Sequence, residues 1–93
     1  MNNLESRKAY RRVKLLQTVE LMRSKDYTER FEAEYRQVCI RLDGLKDYLK
    51  YNIDKLTPLE VDLYQQQLVA MSNYRNILEL RATLGTVKNH EAT

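Results

Sequence analysis

Six large apolar residues in the middle of the chain recur at spacings of 4, 3, 4, 3 and 4: Phe31, Tyr35, Val38, Leu42, Leu45 and Leu49. That alternation puts all six on one face of an α-helix, whereas a strand would need a period of two. Asp26-Tyr27-Thr28-Glu29 places an N-cap before the run with an acid three residues on, which predicts a helix over residues 27–51. Gly44 sits inside the pattern, where it costs about 1 kcal/mol against alanine. A close helix contact would account for it.

A second start is marked by Thr57-Pro58-Leu59-Glu60: threonine at the N-cap, proline at the first helical position and glutamate at the third. From it run Tyr64, Leu68, Met71, Tyr74 and Leu78, beside a second row of Leu63, Ala70, Ile77 and Leu84 spaced by sevens. Gly85 reads as the stop, so the helix is predicted over 58–84. Asn52 to Leu56 is then a short loop, and two long helices joined so closely form an antiparallel hairpin. A further helix is predicted over 4–23, with a stripe of Ala9, Val13, Leu16, Val19 and Met22 and with Leu15 and Leu21 alongside. Ser24-Lys25-Asp26 breaks it, and the polar tail 86–93 is expected to fray.

The resulting fold class is all-α: an antiparallel helical hairpin with an additional N-terminal helix, one domain over residues 1–93. Two glycines and one proline agree with long helices and short connections. Three helices of this size bury a thin core, yet the third is apolar on two rows. The surplus is most simply covered by another copy, so a homo-oligomeric helical bundle is expected. No run of apolar residues is long enough to span a membrane. One cysteine, Cys39, cannot form an internal disulfide, and with no secretory signal this suggests the host cell cytoplasm.

Residue chemistry argues against an enzyme. His90 is the sole histidine and falls in the expected tail, while Cys39 lies between stripe residues Val38 and Leu42 and reads as packing. Glu32 and Glu34 point different ways on a helix, Glu29 lacks a histidine partner, and no metal or cofactor site emerges. Gly44 and Gly85 are too far apart to make a phosphate-cradling loop.

Charge is the informative feature. The first 25 residues hold seven bases and two acids, while the remaining 68 hold nine bases and eleven acids. On a helix Arg7, Arg11 and Lys14 follow one face, with Lys8, Arg12 and Tyr10 adjacent. Such an end suits an anionic partner, its cations neutralising phosphate and its tyrosine offering a face for stacking. A solvated basic face with the tyrosine packed in the core is the plainer alternative. Nucleic acid fits less well, since the body is mildly acidic and no nucleic-acid-binding motif occurs.

Two resemblances add to this reading. The stretch 26–35 (Asp26-Tyr27-Thr28-Glu29 through Tyr35), with 66–74 and Leu78-Glu79-Leu80-Arg81-Ala82, resembles a family of small hypothetical proteins of Gram-positive phages and prophages, related to a crAss-like phage protein. It implies a viral origin and a helical hairpin over roughly 24–84. Lys8-Ala9-Tyr10-Arg11, Leu21-Met22 and Lys25 are similar to the N-terminal pattern of phage anti-CBASS sponges, hexamers that sequester cyclic oligonucleotide immune signals. Alanine stands at position 9 where that family has glycine. The similarity implies that Tyr10 and Lys25 contact the nucleotide. Arg11 and Arg7 are added as phosphate contacts, with Arg75 as a further candidate. The expected function is a phage-encoded, non-enzymatic anti-defence protein that holds a cyclic oligonucleotide or ADP-ribose derivative between protomers. Two alternatives stay open: an inhibitor or adaptor that occupies a host defence protein, and a small virion or assembly helper.

Overall fold

A computed structural model of the chain describes residues 3–88, and among them every regular element is helical. Helix α1 spans Asn3–Met22, α2 Tyr27–Asn52 and α3 Pro58–Lys88, with a 3-10 turn at Ile53–Lys55 between the last two. Both N-caps read from the sequence form. Asp26 accepts from the Thr28 N–H at 2.9 Å. Thr57 and Glu60 make a reciprocal capping box: the Glu60 N–H donates to Thr57 Oγ1 at 3.1 Å, and the Thr57 N–H to Glu60 Oε1 at 3.0 Å. That box holds the Glu60 carboxyl below the usual carboxylate range. Glu29 does not complete a second box. It accepts from the Ser24 hydroxyl instead, so the turn at 23–26 is stitched by side chains.

The expected stop at Gly85 is overturned, because α3 runs through it to Lys88. Nothing lies within 4 Å of where a Cβ would sit on Gly85, and glycine inside a helix costs only about 1 kcal/mol against alanine. The expected tail from 86 is therefore helical as far as 88, and its remainder, His90 included, lies outside the described residues.

The hairpin packs on the stripe read from the sequence. Leu42 and Leu49 are buried, and Phe31, Tyr35, Val38 and Leu45 are half-buried toward α3. Its antiparallel register is fixed by polar and ring contacts at both ends. Near one end the Tyr35 hydroxyl donates to Glu79 Oε2 at 2.6 Å, and Arg81 donates to the Tyr27 hydroxyl at 2.7 Å. Arg81 also lies 5.0 Å from the Phe31 ring centroid. Near the other end Tyr48 and Tyr64 meet edge to face, 5.5 Å between centroids. The bond to a carboxylate, which favours the protonated phenol, pushes Tyr35 well above its ordinary range.

Helix α1 docks on the opposite side of α2, so the helices form a layer with α2 in the middle, 48 by 29 by 17 Å. Its orientation corrects the sequence reading. Val13, Leu16, Val19 and Met22 are exposed, Leu16 at 71%, and Ala9 is only half-buried. The face that meets α2 carries Leu4, Leu15 and Leu21 together with Arg7, Arg11 and a fully buried Thr18. Thr18 donates to the Leu15 carbonyl at 2.6 Å and accepts from Gln37 Nε2 at 2.9 Å, so both capacities are met.

Asp47 explains the choice of face. It is 6% exposed, and both arginines reach its Oδ2, Arg7 through Nε at 2.8 Å and Arg11 through one terminal nitrogen at 2.6 Å. Turning α1 by half a turn would bury Val13 and Leu16 at roughly 1.5–3 kcal/mol per fully buried side chain. It would also strand a buried carboxylate, at about 3–5 kcal/mol. The two effects are comparable, and Leu4, Leu15 and Leu21 already fill the seam, so charge pairing decides.

The Arg7 bond, opposed by burial and helped by Arg11, holds the Asp47 carboxyl below the usual range. A depressed folded-state pKa adds stability above the unfolded value near ~3.9, and that stability is lost as pH falls through the folded value. Asp47→Asn should therefore lower stability at neutral pH by about 1.5–3 kcal/mol, the size of a hydrogen bond to a charged group. The variant should also lose part of the fall in melting temperature below about pH 4. Parallel melting curves against pH for the two proteins would contradict this role.

Candidate functional site

The site is generated by the same clamp. With Arg11 drawn toward Asp43 and Asp47, its side chain lies across Gly44, where an added methyl would sit 3.3 Å from Arg11 Nε. The close contact that Gly44 suggested is thus with an arginine of α1. Beside it a groove of about 280 Å³ opens between α1 and α2, lined by Lys8, Arg11, Arg12, Leu15, Ile40, Arg41 and Gly44. Four of the seven are cations, none is an acid, and Leu15 and Ile40 supply apolar wall. Lys8 reaches Glu5 only at 3.9 Å, and among the described residues Arg12 and Arg41 have no ion-pair partner. Three exposed cations around an apolar patch can take an anion attached to a flat or apolar body.

The structure does not gather the five residues expected at the site. Arg7 and Arg11 are tied to Asp43 and Asp47 within the chain, and the Arg7 guanidinium is pushed above its ordinary range by the bond to Asp47. Only Arg11 borders the groove. Tyr10 is 63% exposed with Lys14 Nζ 5.3 Å from its ring centroid. At about 100° per residue it lies on the far side of α1 from Lys8 and Arg12. Lys25 is exposed in the turn after α1, roughly 20 Å along from Tyr10 at 1.5 Å per helical residue. Tyr10 and Lys25 of one chain therefore cannot hold the same small nucleotide. Arg75 lies on the α2-facing side of α3, half-buried, and its Nε is buried with no acceptor among the described residues.

Sequence reasoning missed Arg41 as a site residue. The pair Lys8 and Arg12 was visible as a spacing of four, but nothing in the order of residues says that α2 brings Arg41 to them. Among the described residues no group of three or more His, Cys, Asp or Glu could hold a metal ion, and no helix is long and apolar enough to cross a membrane.

A three-helix layer with a cationic groove of ligand size has the build of a small binding module. Residues 25–84, 60 of the 93, match the family model described as Sequestin, and the chain belongs to the Sequestin family. The match covers α2 and α3 as far as Leu84, with Lys25, Arg41 and Arg75, and stops short of α1. No curated protein and no solved structure matches the chain.

Arg75 offers a check on the unliganded state. A buried donor without an acceptor costs about 1–3 kcal/mol, so Arg75→Met should raise the melting temperature of the free protein. A lower melting temperature would mean that Arg75 has a partner in solution.

Proposed function

We propose that this Sequestin-family chain is a phage-encoded, non-enzymatic anti-defence protein. In this reading it sequesters a small anionic nucleotide signal, a cyclic oligonucleotide or an ADP-ribose derivative. The observation that carries the reading is the groove of Lys8, Arg12 and Arg41 over Leu15 and Ile40, cationic and lined by no acid, in a chain whose family name denotes sequestration. Phosphates would lie against Lys8, Arg12, Arg41 and the donors that Arg11 does not give to Asp43 and Asp47. The base would cover the aliphatic wall.

Among the described residues no aromatic ring lines the groove, so stacking has to come from elsewhere. Tyr10 is exposed beside the uncovered Val13, so in this reading the stacking ring would be the Tyr10 of a neighbouring protomer. Lys25 would have to come from a different chain than that ring, since each copy holds the two roughly 20 Å apart. Arg75 would act only where its seam opens toward the ligand.

Differential scanning of the full chain against cyclic di- and trinucleotides and ADP-ribose derivatives tests the reading. A ligand at a hundred times its Kd should stabilise the fold by about 2.7 kcal/mol. Arg41→Glu should weaken binding by at least about tenfold, since a hydrogen bond to a charged group is worth about 1.5–3 kcal/mol. Tyr10→Ala should cost about 1–3 kcal/mol of stacking. Both should keep the helicity of the parent. If no nucleotide shifts the melting curve, and the parent instead captures an acidic host protein at low salt, the docking alternative replaces this one.

A further inference from the structure

Helix α3 turns Val61, Tyr64, Leu68, Met71, Arg75 and Leu78 toward α2, and these are half-buried or buried. Its opposite side is a second stripe that the chain leaves open. Leu59, Leu63, Ile77, Leu80 and Leu84 are all exposed, Leu80 at 70%. With Gln66, Ala70 and Asn73 they form an unbroken series at spacings of 4, 3, 4, 3, 4, 3 and 4. That is a heptad seam of about 38 Å, at 1.5 Å per residue, and such a seam fits another long helix. Helices α1 and α2 are already packed on each other, so among the described residues no helix is left to cover it.

We propose that the occupant is α3 of a second copy, running antiparallel about a two-fold axis between Met71 and Ser72. The seam is self-complementary in that register. Leu59 meets the partner's Leu84, Leu63 the partner's Leu80, Gln66 the partner's Ile77 and Ala70 the partner's Asn73. Each contact is repeated by symmetry, as an isologous interface requires. Large aliphatics close both ends, and the small Ala70 leaves room at the centre for Asn73, a polar residue in the seam that penalises slipped registers. The flanking charges agree: Glu60 falls beside the partner's Arg81, whose only hydrogen bond among the described residues goes to Tyr27. An antiparallel pair also sets the helix dipoles head to tail.

This pairing leaves the groove between α1 and α2 untouched, so it stands or falls separately from nucleotide binding. Light scattering on the full chain should give an even multiple of 11.1 kDa. Leu80→Glu, which changes a residue facing away from α2, should halve that mass while circular dichroism keeps its helical signal. In a Cys39→Ser background, a mixture of Leu59→Cys and Leu84→Cys chains should yield a cross-linked dimer on oxidation, and neither variant alone should. A parent mass of 11.1 kDa, or an unchanged mass for Leu80→Glu, would overturn the proposal. So would cross-linking of Leu84→Cys with itself, the mark of a parallel pair.

Discussion

Asp47 is the point on which the arrangement of this chain turns. A carboxylate that is 6% exposed has to be paired, and both of its cations come from α1, forty and thirty-six residues away in the chain. That pairing rotates α1 so that Arg7, Arg11 and Thr18 face α2 while Val13 and Leu16 face out. It also lays Arg11 over Gly44, and the groove of Lys8, Arg12 and Arg41 opens alongside. Two of the strongest-looking ligand cations are therefore part of the scaffold. Of the groove cations, Lys8 has only a long pair with Glu5, and Arg12 and Arg41 have no ion-pair partner among the described residues.

A single layer of three helices has a cost that the chain does not meet by itself. Among the described residues only Ala33, Leu42, Leu49 and Leu78 are buried apolar groups. The outer faces of α1 and α3 keep aliphatic residues in solvent at regular helical spacings. Surfaces of that pattern are ordinarily interfaces, and they explain why a chain with ample apolar residues has so small a core. The uncovered α1 face carries Tyr10 and Val13, whereas the uncovered α3 face lies at the opposite edge of the layer.

Helix positions were legible because their signals are local. Thr57 and Glu60 cap each other within four residues, and the stripe from Phe31 to Leu49 needs nothing beyond its own period. Gly85 misled because a glycine inside a helix costs only about 1 kcal/mol against alanine, and the helix simply passes through it. The face of α1 was misread for a deeper reason. Its most regular apolar stripe lost to an ion pair whose other half is on α2, and no pattern within α1 contains Asp47. The site shows the same division. A cationic N-terminal helix was evident from composition, but which of its cations are neutralised depends on Asp43 and Asp47, and the contribution of Arg41 depends on helix packing.

These considerations bring the proposed activity down to one claim: the chain holds a nucleotide in the groove and releases it unchanged. The most direct measurement incubates the full chain with a cyclic dinucleotide or an ADP-ribose derivative, separates bound from free ligand by filtration, then denatures the protein and identifies what is recovered. The account predicts that the parent retains the ligand, that the denatured sample returns it intact in stoichiometric amount, and that Arg41→Glu lets it pass. A ligand that passes the parent freely, or that is recovered cleaved, would contradict it.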